Sequence, residues 1–180
     1  TDGGVTRFLF ETFGVPHTSE NEGRFLEVYV EILKERLSAE EQALPGGVLS
    51  GVVNLLVELK SIANTTVTLL TGNTRAGAKV KMDAYNLAHH FDFDCGAYGC
   101  DHWDRNQLGF LAVQRASAKQ GHAFSDRQVI VIGDTPKDID CGKAIGARTV
   151  AVATGGFDRE ALQEFDPDYL LDDLSNTESV

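Results

Sequence analysis

The chain has 180 residues, 42% hydrophobic and 24% charged, with a formal net charge of −11. That length suits one α/β domain with a small appended subdomain, the composition excludes a disordered chain, and no apolar run is long enough to cross a bilayer. The acidic balance repels phosphate backbones at long range and argues against a general nucleic-acid binder.

Val5, Phe8, Leu9, Thr12 and Phe13 recur at helical spacing, and Gly14-Val15-Pro16 stops that first helix. Phe25, Leu26, Tyr29, Val30, Leu33 and Leu37 mark one face of a second helix over Gly23 to Leu37, which Ala39 to Leu44 extends. Pro45-Gly46-Gly47 is the clearest boundary. It separates a reduced helical region, residues 1–44, from an α/β region, residues 45–180.

Beyond the boundary, apolar helices alternate with short β-branched runs, the signature of a parallel sheet with helices on both faces. The expected order is helix Leu49 to Ser61, strand Thr66 to Leu70, turn Thr71-Gly72-Asn73, helix Ala76 to His89 and a short strand over Phe91 to Asp94. An irregular loop then runs from Gly96 to Asp104, followed by helix Asn106 to Gln120. Gln128 to Ile132 contains an unbroken Val-Ile-Val-Ile run, which predicts a strand buried on both faces. Helix Asp138 to Ile145, strand Thr149 to Ala153, helix Arg159 to Phe165 and strand Tyr169 to Leu171 complete the chain.

Cys95, Cys100 and Cys141 are odd in number and form no C-x-x-C pair, so they read as reduced, structural thiols. The opening Thr1-Asp2-Gly3-Gly4 has neither the basic nor the apolar region of a signal peptide, and a cytoplasmic location is the expectation.

In open parallel sheets ligands bind beyond the carboxyl ends of the strands. Asp134 directly follows the most hydrophobic strand and Asp138 lies four residues on, in the first turn of a helix. Two carboxylates so placed suit Mg²⁺, although Asp is also a common cap of helix N-termini. Thr71, Gly72 and Asn73 end another strand and bring a hydroxyl and free backbone N–H groups to a helix N-terminus, a nest for phosphate. An ordinary capping turn has the same letters. The pair says more than either member, because phosphoryl transfer needs both an anion cradle and a cation site.

On these residues the chain resembles the haloacid dehalogenase superfamily, and most closely its phosphoglycolate-phosphatase-like branch. Leu69-Leu70-Thr71-Gly72-Asn73 is similar to the family's second motif, and Val129 to Asp138 to its fourth. Gly96-Ala97-Tyr98-Gly99 and Asp104 to Leu108 are further similarities, within a resemblance that runs from about Leu44 to Thr177.

The resemblance implies a Rossmann-like core with a helical cap and a Mg²⁺-dependent phosphatase that hydrolyses a small phosphomonoester, phosphoglycolate-like, through an aspartyl-phosphate. It assigns phosphate binding to Thr71, Gly72 and Asn73 and the metal to Asp134 and Asp138. The family's neutralising cation falls on Arg105 by the position of the loop, with Lys81 as the alternative. The implied partner is a small phosphorylated metabolite, not nucleic acid or membrane.

The family's first motif, an apolar strand ending in Asp-x-Asp-Gly-Thr that carries the nucleophile, has no counterpart in this sequence. Asp2 follows no strand. In relatives the missing strand lies between those corresponding to Thr66–Leu70 and Gln128–Ile132, so its absence should leave two edges unpaired. A non-catalytic phosphate or metabolite binder is the competing expectation.

Overall fold

A computed structural model describes residues 1–38 and 47–176. The expected extension at Ala39 to Leu44 and the boundary at Pro45-Gly46 lie outside the described residues.

Helix α1, Asp2–Phe13, starts where the Thr1 hydroxyl accepts the Gly4 N–H at 3.2 Å, and ends at Gly14, whose φ of 65° is a left-handed conformation that costs glycine little. Helix α2, Ser19–Ser38, folds back so that Phe25 meets Phe10 edge to face, with ring centroids 5.7 Å apart. Both helices are longer than their apolar patterns indicate, because capping and polar residues extend them. Helix α2 packs on α4, Arg75–Ala84, where the Tyr29 ring lies against Gly77. A β-carbon at Gly77 would sit 3.1 Å from that ring, so the glycine allows the close approach.

Helix α3, Val52–Ser61, buries Leu55 and Leu56. The expected strand Thr66 to Leu70 does not form as a regular element. It is extended chain with one parallel bridge, Leu70 to Ala97, supported by Ala97 N–H to Leu69 O at 2.9 Å and Thr71 N–H to Ala97 O at 3.0 Å. The expected strand Phe91 to Asp94 is also absent. There the Asp94 N–H turns back to the Asp92 carboxylate at 3.1 Å, a local bond that competes with a ladder. With so irregular a partner, the β-branched run beside it makes one bridge and no more.

The helix expected to reach His89 stops at Ala84, because Asn86 adopts a left-handed φ of 54°, and a short 3-10 turn, Ala88–His90, follows. Helix α5, Arg105–Gln120, is capped by the Asp104 carboxylate and closed by Gly121.

The regular sheet has three parallel strands: β1, Ile130–Gly133; β2, Arg148–Val152; and β3, Tyr169–Leu171, in that order. Parallel neighbours need crossover connections, and α6, Pro136–Ala144, and α7, Arg159–Gln163, supply them. Ile132 stands opposite Val150, and Val150 opposite Tyr169. Ile139 from α6 and Leu162 from α7 close with Ala151 into the core cluster.

Strand β1 is not buried on both faces. Val131 is buried against Gly142 of α6, but Ile130 and Ile132, which alternate onto the opposite face, are 53% and 37% exposed; among the described residues β1 also pairs only with β2. The strand also begins two residues later than its sequence predicts, since Asp126–Gln128 forms a 3-10 turn held by the Gln128 side chain on the Ser125 N–H. No helix of the described residues is long and apolar enough to cross a membrane.

Candidate active site

The turn after Leu70 is held from several sides. The Thr71 hydroxyl accepts both the Asn73 backbone N–H, at 3.1 Å, and the Asn73 side-chain amide, at 2.8 Å. Gly99 N–H donates to Asn73 O at 2.8 Å, and Asp2 N–H to Gly72 O at 2.6 Å. A β-carbon on Gly99 would collide with the Gly72 carbonyl, so two bare backbones meet there. Thr74 caps α4 with its hydroxyl, and its own N–H is bound by the Asp2 carboxylate at 2.9 Å. Residue separation hides the Asp2 link from sequence reasoning: the partners are 72 positions apart.

Gly99 is fixed by the loop before it. Arg115 grips Asp101 with two parallel bonds of 2.7 and 2.8 Å and also donates to Gly96 O at 2.6 Å, while the Asp101 carboxylate accepts the Tyr98 N–H. The Arg115 guanidinium holds the Asp101 carboxyl below the usual range. Burial pushes the Tyr98 phenol up to about 12, and its O–H donates to Phe93 O.

The acidic pair stands at the end of β1 and the start of α6. Asp138 is 7% exposed and closes a reciprocal cap: its Oδ2 accepts the Thr135 N–H at 3.1 Å and the Thr135 hydroxyl at 2.7 Å. Its other oxygen, Oδ1, pairs with Arg105 Nη2. Asp134 is half-buried, and among the described residues its carboxylate takes no hydrogen bond or ion pair. Both acids lie over glycine. A β-carbon at Gly133 would come within 2.5 Å of Asp138 Oδ2, and one at Gly155 would overlap the Asp134 carboxylate.

Arg105 joins the two halves. Nη2 reaches Asp138, while Nη1 comes within 3.6 Å of the place a Gly72 β-carbon would take. Among the described residues its buried Nε has no hydrogen-bond partner. The Nη nitrogens, near the Gly72 turn and the Asp138 carboxylate, are the donors placed to meet an oxyanion. Lys81 is placed differently. Its ammonium donates to Asn73 Oδ1 at 2.6 Å and stands behind the turn.

Among the described residues no group of three or more His, Cys, Asp or Glu side chains is gathered as a metal cluster. Asp134 and Asp138 nonetheless fit Mg²⁺, which takes one or two carboxylates and fills its remaining positions with water and phosphate oxygen. The unpartnered Asp134 carboxylate is the observation that favours this fit.

Residues 111–177 match a family model described as HAD-hydrolase-like. The whole chain has the fold of proteins solved under that description. A haloacid dehalogenase-like family protein from Streptococcus pneumoniae superposes with a TM-score of 0.61 at 16% identity, over 99% of this chain and 80% of that one. The fold is haloacid dehalogenase-like. A hydrolase from Pseudomonas syringae gives a TM-score of 0.62 at 23% identity, over 98% of this chain and 76% of that protein. A protein described as a predicted phosphoglycolate phosphatase from Haemophilus somnus gives 0.62 at 15% identity, over 96% and 72%. No curated protein matches the chain significantly in sequence. At these identities the structural likeness establishes the fold alone.

Proposed function

We propose that the chain supplies the phosphate- and metal-binding parts of a Mg²⁺-dependent phosphomonoesterase that acts on a small, phosphoglycolate-like metabolite. The reading rests above all on Arg105, whose guanidinium reaches Asp138 with one nitrogen and the Gly72 turn with another. The Thr71 hydroxyl and the Gly72 N–H would bind non-transferred phosphate oxygens, the Thr71 and Asn73 N–H groups being engaged within the protein, and Arg105 would stabilise charge that develops on them. Asp134 and Asp138 would hold Mg²⁺, which when bound supplies charge neutralisation and alignment of the phosphoryl group.

The attacking carboxylate comes, in this proposal, from an Asp outside this sequence. Its oxygen bonds to phosphorus as the ester P–O bond breaks and the leaving alcohol takes up a proton. Water then cleaves the acyl phosphate, releasing orthophosphate and regenerating the carboxylate. The edge of β1 left unpaired among the described residues is where an apolar strand carrying that Asp would pair.

The test is p-nitrophenyl phosphate hydrolysis with Mg²⁺, by the 180-residue chain and by the same chain with an apolar Asp-x-Asp strand joined ahead of Thr1. Turnover by the extended chain, lost on Asp134→Asn, is the expected result. Phosphate binding without turnover in either form would favour the second reading, a non-catalytic phosphate binder. One observation speaks for that reading: Asp2, the carboxylate bound to the phosphate turn, is engaged by the Thr74 N–H.

A further inference from the structure

Among the described residues the Lys81 ammonium meets the phosphate turn through the Asn73 side chain, and Asn73 in turn meets Thr71. An ammonium has three donors and no acceptor, so the Asn73 side chain must present its oxygen to Lys81. Its NH₂ group then faces Thr71. That amide at 2.8 Å and the Asn73 backbone N–H at 3.1 Å together fill both acceptor positions of the Thr71 hydroxyl. Among the described residues the hydroxyl donates to nothing, so its hydrogen is the one function left for a ligand.

We propose that Lys81 is a positioning residue that makes Thr71 a pure donor, and thereby suits the turn to an acceptor-only oxyanion such as a phosphate dianion. The inference rests on the phosphate-binding reading of Thr71 given above. Without the ammonium, the Asn73 amide gains a second orientation at little cost, with its oxygen toward Thr71. The hydroxyl would then donate to Asn73 and turn a lone pair toward the ligand, which repels an anion. Lys81 thus acts through the direction of a hydrogen-bond chain, Lys81 to Asn73 to Thr71, and not through contact with the ligand.

The relay requires that an arginine can replace Lys81 and that a neutral residue cannot. Arginine is likewise a donor without an acceptor. A purely electrostatic attraction by Lys81 would persist whatever stands at position 71. The relay requires the Thr71 hydroxyl.

Inorganic phosphate is titrated by NMR into the 180-residue chain, Lys81→Met, Lys81→Arg, Thr71→Val and the double variant Lys81→Met/Thr71→Val, with thermal unfolding as the check on folding. We expect Lys81→Met and Thr71→Val each to weaken binding about tenfold, and Lys81→Arg to stay within about threefold of the parent. The double variant should be no weaker than Thr71→Val alone, because the relay has nothing left to orient. The Asn73 side-chain amide protons should shift in Lys81→Met and not in Lys81→Arg, a signal independent of ligand.

Unchanged binding by Lys81→Met, or a double variant that is weaker by the product of both losses or too weak to saturate, would overturn the relay and leave phosphate binding at Thr71 standing. A parent chain that does not bind phosphate at all would overturn both.

Discussion

The β1 strand and the Thr66–Leu70 segment start from the same kind of sequence, a short run rich in β-branched residues, and end in different structures. Ile130–Gly133 forms a regular strand, while Thr66–Leu70 makes one bridge, to Ala97. Among the described residues each is paired along one side only, so the difference lies in the partner. Strand β2 is itself paired on both sides and backed by the buried Ile139 of α6; the 92–97 segment is a chain of turns. Strand propensity is expressed in proportion to the regularity of what it pairs with.

The sharpest way to break this comparison is to truncate one leucine on each side. Leu162, 0% exposed in the core cluster, should cost about 3 kcal/mol on Leu162→Ala. The half-buried Leu69 should cost about 1 kcal/mol on Leu69→Ala. Equal losses in urea unfolding would mean that the two sides are equally consolidated and would remove the contrast.

A smaller effect tests what holds the looser side together. Asp101→Asn removes the charge from a two-pronged pair with Arg115 and should destabilise by about 2 kcal/mol. Arg115 lowers the Asp101 pKa in the folded chain, so the pair's contribution is fully present above the unfolded carboxyl value, about 3.9, and is lost as pH falls through the lower folded value. The parent and Asp101→Asn stabilities should therefore converge in acid. Parallel curves between pH 5 and pH 2 would sink the assignment.

The smallest expected effect is chemical. Cys100 is exposed on the looser side, whereas Cys95 and Cys141 are buried and their thiol pKa values are raised by that burial. Iodoacetamide should therefore modify Cys100 alone in the native chain, as mass spectrometry of tryptic peptides will show. Rapid labelling of Cys95 would mean that the 92–97 turns open readily.

The sequence is legible where local signals suffice. Tyr169–Leu171 is the strand its residues indicate, and α5 begins one residue from its expected start because Asp104 is a strong cap. Thr66–Leu70 was illegible as anything but a strand, since nothing in five residues announces a partner made of turns. Helix α4 is shorter than its periodicity because Asn86 takes a backbone conformation that asparagine tolerates but does not advertise.

At the candidate site the residue types are legible and the connections are not. Thr71, Gly72, Asn73, Asp134 and Asp138 stand out as strand-end residues. The pairing of Arg105 with Asp138 spans 33 positions, and it is tertiary contact, not spacing, that separates Arg105 from Lys81. Arg105 lies between nest and acid, while Lys81 reaches only Asn73.

Gly133 and Gly155 carry one last consequence. The two acids occupy the places where β-carbons would stand, so the floor beneath them is made of peptide planes. A pocket walled by side chains changes its width as rotamers interconvert; a floor of main chain has no rotamers to exchange. The dimensions of this corner are therefore set when the chain folds, and warming the protein will alter them less than it alters any wall lined with leucine or lysine.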